Sequence, residues 1–144
     1  MESATCFAPT TVGIVLSVLA LTSCSGGNTP EDEIMAVVDQ MNMAYTEGDV
    51  ESFYQNYCRD YIDEARRGFS PEEFLAQLEA EKSAKHGKVT TLYVTDISVD
   101  GDTATATSVT ELFNEDGELN ADKRGTIKFV REDGEWRVCG EGQS

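Results

Sequence analysis

From Val12 to Leu21 the chain reads Val-Gly-Ile-Val-Leu-Ser-Val-Leu-Ala-Leu, apolar almost throughout and without a charge. About ten apolar residues are too few to span a bilayer, which takes about 20, but they suit the hydrophobic segment of a signal peptide. Beyond a short polar break the period changes. Thr29-Pro30-Glu31-Asp32 has an N-cap residue, proline at the first helical position and acids in the first turn, a strong helix start. Ile34, Val37, Val38, Met41, Ala44 and Tyr45 then recur at helical spacing, one stripe facing a core. Gly48 suits a left-handed helix end and Asp49 a second cap. A second helix with Val50, Phe53, Tyr54, Tyr57 and Cys58 on its buried face follows. Arg59 to Phe69 reads as a looser stretch. Ser70-Pro71-Glu72-Glu73 has the spacing of a capping box, and opens a third helix that buries Phe74, Leu75 and Leu78 and stops near Lys85-His86-Gly87.

From Lys88 the pattern shifts toward strands. Val89 to Val99 is rich in β-branched residues, and Asp100-Gly101-Asp102 supplies a hairpin turn. Thr103 to Phe113 follows, then the turn Asn114-Glu115-Asp116-Gly117. A third strand from about Ala121 to Arg131 puts Ile127 and Phe129 on one face. Glu132-Asp133-Gly134-Glu135 turns the chain into Trp136-Arg137-Val138-Cys139. The expected fold is α+β: three N-terminal helices packed on one face of a curved four-stranded antiparallel sheet.

The apolar run ends in Leu21-Thr22-Ser23-Cys24, which resembles the lipobox of bacterial lipoproteins. That resemblance implies a signal peptide over 1–23 and a diacylglyceryl group on Cys24. Residues 24–29 then form a flexible tether and 30–144 the folded domain. Lipidation with two acyl chains would anchor the protein stably at the extracytoplasmic face of the cell membrane. The segment before the run departs from the pattern, since it has no Lys or Arg and carries Glu2. If Cys6 is removed and Cys24 is a thioether, Cys58 and Cys139 are left in an oxidising compartment. They are expected to pair, closing a loop of about 80 residues for a contribution on the order of 4 kcal/mol. A metal site or catalytic thiol is the weaker alternative, because there is no C-x-x-C and the only histidine is His86.

The whole chain of 144 residues suits one domain, with 40% hydrophobic and 26% charged residues. The formal net charge of -16, nearly all of it after Cys24, argues against nucleic acid and against adsorption to anionic headgroups.

The segment Ala44-Tyr45-Thr46-Glu47-Gly48-Asp49-Val50-Glu51-Ser52-Phe53 and the closing Val130-Arg131-Glu132-Asp133-Gly134-Glu135-Trp136-Arg137-Val138 resemble the nuclear transport factor 2-like superfamily, with its cone-shaped cystatin-like fold. The terminal Cys139 is similar to that of small secreted and lipoprotein members in actinobacteria. The resemblance covers roughly Glu31 to Cys139 and implies a pocket between sheet and helices. Enzymes, ligand carriers and dimerisation modules all use that fold, so it leaves function open.

Residues expected to line such a pocket are Tyr45, Phe53, Tyr54, Tyr57, Tyr93, Phe129 and Trp136. A catalytic member would need an acid or base and a hydrogen-bond donor; the candidates are one of these tyrosines or Tyr61, with Asp96 or Asp60. Tyrosines at helical spacing read more simply as core residues with polar tips, and His86 as a C-terminal cap. Asp96, Ser98, Asp100 and Gly101 fall at calcium-loop offsets, but Thr107 stands where glutamate is required. No catalytic residue, metal or cofactor is implied. The expected function is a membrane-anchored, non-catalytic module for a small apolar ligand or an envelope protein, with a homodimer possible. The alternative is an isomerase- or dehydratase-like enzyme using a pocket tyrosine and carboxylate.

Overall fold

A computed structural model describes residues 27–114 and 116–143. The apolar run, Cys6 and Cys24 lie outside these residues. Four α-helices, α1 (Pro30–Glu47), α2 (Val50–Tyr54), α3 (Ile62–Gly68) and α4 (Pro71–Ser83), precede four strands, β1 (Thr91–Asp100), β2 (Thr103–Phe113), β3 (Leu119–Glu132) and β4 (Glu135–Gln143). The strands form one antiparallel meander in the order β1-β2-β3-β4. None of the helices among the described residues is long and apolar enough to cross a membrane.

The helix starts follow from their caps. Thr29 Oγ1 accepts from the Asp32 amide while Asp32 accepts from the Thr29 amide, and Ser70 and Glu73 repeat the arrangement for α4. Gly48 ends α1 at φ 76°, a left-handed conformation open to glycine at no steric cost. Three helical expectations need correction. α2 ends at Tyr54, so Tyr57 and Cys58 lie beyond it. The stretch expected to be loose contains α3, a short helix with Arg66 and Arg67 in its last turn. Leu75, expected in the core, is 49% exposed, because α4 buries only Phe74 and Leu78.

The sheet is curved by irregularities in register. Asp96 and Ile97 together oppose the single residue Ala106, and Cys139 is an extra residue between the pairs Lys128↔Gly140 and Phe129↔Val138. Such bulges bend a strand and reverse the alternation of its side chains. Leu92 and Val94 face the core before the first bulge, and Ile97 and Val99 after it. The turn between β3 and β4 has Asp133 at φ 51° and Gly134 at φ 84°, the two positive values that a tight type I′ hairpin requires.

The main core lies between α1, the α2–α3 segment and the sheet, around Ile34, Val38, Met41, Ile127, Phe129 and Val138. A smaller cluster of Tyr45, Phe74 and Leu78 joins α1 to α4. Polar clamps fix the helices over the sheet. The Asn42 amide group donates to the Leu92 carbonyl at 2.6 Å and accepts from its N–H at 2.9 Å, acting as a one-residue strand on the β1 edge. The Glu81 carboxylate accepts from the Thr90 amide at 2.8 Å and hydroxyl at 2.5 Å, tying the end of α4 to the start of β1.

Candidate functional site

Between the helices and the concave face of the sheet lies an open cavity of about 530 Å³. Its aromatic wall comes from Tyr45 on α1, Phe53 on α2, Tyr57 and Tyr61 beyond it, and Phe69 before α4. Phe53 is the hub of this wall. It packs edge-on against Tyr54, Tyr57 and Phe74 with ring centroids 5.4, 6.0 and 5.1 Å away. The sheet contributes a floor of mixed polarity that includes Leu92, Ser108, Thr110, Leu112 and Ile127.

The sharpest chemistry is at the β4 edge, and backbone placement creates it. Beyond α2 the chain turns onto β4, where Cys58 N donates to the Val138 carbonyl and Val138 N to the Asn56 carbonyl, both at 2.8 Å. Tyr57 thereby forms a parallel bridge with Val138. The expected disulfide is present between Cys58 and Cys139, with Cα atoms 5.2 Å apart. With the segment held at three adjacent points, the Tyr57 hydroxyl donates to Glu141 Oε1 at 3.1 Å.

Glu141 reaches that hydroxyl because of the Cys139 bulge. Val138 opposes Phe129 and faces inward; regular alternation would send residue 140 inward and residue 141 out. The extra residue reverses this, so Glu141 opposes inward-facing Ile127. Glycine permits the close approach of strands here. A Cβ on Gly125 would stand 2.3 Å from the Gly142 carbonyl oxygen, and no larger residue fits without a shift of backbone.

Glu141 is exposed by surface area and lines the open cavity, where neighbouring protein strips part of the water from its carboxyl. Lost hydration raises its pKa above the usual carboxylate value, and the hydrogen bond from Tyr57 opposes that shift. Burial holds the Tyr57 hydroxyl far above the ordinary tyrosine range, reinforced by the Glu141 charge and hydrogen bond. Tyr61 is shifted the same way, by burial and then by Glu141. Across the cavity the Tyr45 hydroxyl is buried without a well-aligned partner. Its pKa is raised first by burial and then by the nearby Glu81 carboxylate, whose oxygens are engaged by Thr90 and Gln77.

Of the residues expected to line the pocket, Tyr45, Phe53 and Tyr57 meet there, joined by Tyr61. Four others lie elsewhere. Tyr54 is buried beneath Arg66 and donates to the Phe69 carbonyl. Phe129 is fully enclosed in the core. Trp136 stacks under Arg131, donates to Glu33 at 3.1 Å, and borders a separate hollow of about 270 Å³. Tyr93 follows Leu92 and precedes Val94, both of which face the core, so strand alternation turns it to the other face. The candidate carboxylates Asp96 and Asp60 are also outside the cavity. Asp96 sits exposed in the β1 bulge at φ 52° and Asp60 is exposed in the turn before α3. His86 is not a helix cap. α4 ends at Ser83 with Ala84 as its C-cap, and His86 occupies the following turn, so close to the β2–β3 turn that a Cβ on Gly117 would come within 2.6 Å of its own.

Sequence reasoning does not reach Glu141, because the apolar pattern of the last strand stops at Cys139. A signal was available in Gly140-Glu141-Gly142, an acid flanked by the small residues that tight strand curvature needs.

The chain belongs to a family described only as a domain of unknown function, DUF4878, whose model matches residues 23–139. No curated protein matches it. Solved structures similar to it include a protein of unknown function from Mycobacterium tuberculosis, at 19% identity and TM-score 0.55, covering 78% of this chain and 69% of that one. A nuclear transport factor 2-like protein of unknown function from Shewanella oneidensis is 15% identical with TM-score 0.52, covering 78% and 97%. A candidate dehydratase of the nuclear transport factor 2-like family from Streptomyces avermitilis is 17% identical with TM-score 0.54, covering 78% and 95%. At these identities the likeness shows the fold, nuclear transport factor 2-like, and no activity.

Proposed function

We propose that this DUF4878 protein is a lipid-anchored extracytoplasmic module that binds a small, mainly apolar molecule in its cone without transforming it. The cavity of about 530 Å³ carries the reading. It falls within the range of about 300–1,000 Å³ of small-molecule sites, and it pairs an aromatic wall with a few convergent polar groups. The anchor is supported by the apolar run, the Leu21-Thr22-Ser23-Cys24 motif and the Ser25-Gly26-Gly27-Asn28 tether. A disulfide is the cross-link expected of an oxidising compartment.

Two experiments test the parts separately. A clickable fatty acid should label the wild type and not Cys24→Ala; equal labelling of both removes the anchor. For the cavity, 4-tert-butylphenol should bind the full-length protein in nanodiscs saturably by ligand-observed NMR, with empty discs as the blank. Thr110→Trp, and independently Ser108→Leu, should obstruct the cavity and weaken binding severalfold. Unchanged binding in both folded variants removes the reading.

The enzyme reading stands second because one observation favours it: Tyr57 and Glu141 converge inside the cavity. A carboxyl shifted toward neutrality is a better proton carrier than an ordinary glutamate. It ranks lower because the Tyr57 proton is directed at Glu141 itself, which lowers the basicity of the carboxylate and occupies the donor that a substrate oxygen would need. Glu141-dependent exchange of carbon-bound hydrogen for deuterium in a bound carbonyl compound would reverse this ranking.

A further inference from the structure

Glu141 is in none of the ion pairs among the described residues. Its Oε1 accepts a hydrogen bond from a neutral donor, the Tyr57 hydroxyl. The carboxyl stands beside aromatic surface. The Tyr57 and Tyr61 rings lie 6.0 Å apart, inclined at 43°, and Phe53 lies 6.0 Å from Tyr57. Tyr57, Tyr61, Phe53 and Glu141 all line the same cavity. A carboxylate beside aromatic rings offers a counter-charge, and ring faces presented to the cavity add the negative quadrupoles that attract a weakly hydrated cation.

The basic residues of the cavity are Lys123 and Arg124. Glu141 opposes Ile127 on β3. At about 3.4 Å per residue, Arg124 is about 10 Å and Lys123 about 14 Å further along that strand. Long side chains shorten these backbone spacings, but neither cation forms an ion pair with Glu141 among the described residues, and Arg124 pairs with Asp122 at 3.5 Å instead. The net charge of -16 adds a field that draws cations toward the molecule.

We propose that the corner formed by Tyr57, Tyr61 and Glu141 receives the positively charged nitrogen of a small organic ammonium compound, whose apolar remainder lies along the aromatic wall. This deepens the ligand-binding reading and rests on it. It adds the charge class of the ligand and identifies the residues that select it.

The test compares choline with 3,3-dimethylbutan-1-ol, which has nearly the same shape and no charge. Both are titrated by ligand-observed NMR into the full-length protein in nanodiscs, with 4-tert-butylphenol as the neutral reporter of an open cavity. Choline should bind at least tenfold more tightly than the alcohol and displace the phenol. Glu141→Gln, with its fold checked by an unchanged far-UV circular-dichroism spectrum, should remove at least fivefold of the preference for choline over the alcohol. Tyr61→Leu should weaken choline about two- to fivefold, the range of a partly exposed cation–π contact. If the phenol binds but choline is no better than the alcohol, or its preference survives Glu141→Gln, the cationic site is refuted and the cavity reading stands. If neither the phenol nor choline binds, both fall.

Discussion

Replacing Cys58 and Cys139 together by alanine should destabilise the domain more than any single surface change. The two residues are 81 positions apart and are joined across most of the fold. A loop of that size, once opened, returns about 15 cal/mol/K of entropy to the unfolded chain, or about 4.5 kcal/mol near room temperature by the chain-entropy account. Cys58 is also fully buried, so losing its sulfur adds packing cost of the order of 1 kcal/mol. Against a total of about 5–15 kcal/mol for ordinary domains, this loss is large. At about 4 °C per kcal/mol it lowers the melting temperature by roughly 20–25 °C. The assay is urea unfolding of the full-length oxidised protein and the double variant, each with and without reductant. The wild type should lose stability on reduction, whereas the double variant should be insensitive to it. A difference below about 1 kcal/mol would refute the reasoning, because the cross-link would then not be constraining the unfolded chain.

Two further perturbations address the cavity edge. Gly125→Ala places a Cβ 2.3 Å from the Gly142 carbonyl, and the strand shift needed to relieve it should cost about 1–3 kcal/mol. Thermal melting and faster amide exchange along the end of β4 report it; an unchanged melt would show that the strands have slack here. Glu141→Gln has a pH signature. Because burial raises the carboxyl pKa of the folded protein, ionisation costs the folded state more than the unfolded one. The wild type should therefore lose stability relative to Glu141→Gln as pH rises from below the ordinary carboxylate value through the raised one. The difference should be smallest in acid, where both carry a neutral side chain. A gap in urea midpoint that stays constant from pH 4 to 8 would contradict the assigned shift.

The elements with strong local signals were legible in the sequence. The capping sequences at Thr29 and Ser70 mark the starts of α1 and α4, the helical stripe from Ile34 to Tyr45 is buried, and the glycine-containing turns join the strands. Two misreadings share a cause. Apolar spacing carried the second helix on to Tyr57 and Cys58, but the chain there leaves the helix to hydrogen-bond with Val138, 80 or so residues away. That tertiary partner overrides local periodicity and cannot be read from a helical stripe. Tyr93 is missed because composition does not say which face of a strand receives it, whereas Phe129 and Trp136 share the core face with Ile127 but are packed into the core away from the cavity.

Register also explains why the candidate site was partly hidden. One extra residue in β4 places Cys139 for its bond with Cys58 and simultaneously reverses the alternation so that Glu141 faces the cavity. Without it, regular pleating would send the Glu141 side chain to the opposite face and leave Tyr57 with no carboxylate to meet. The disulfide and the polar corner thus depend on the same local irregularity. A cross-link that holds the Tyr57 segment against β4 also preserves the 3.1 Å contact. The cavity therefore owes its volume to the layering of helices on a curved sheet, and its chemical direction to a single inserted position that hydrophobic periodicity does not signal.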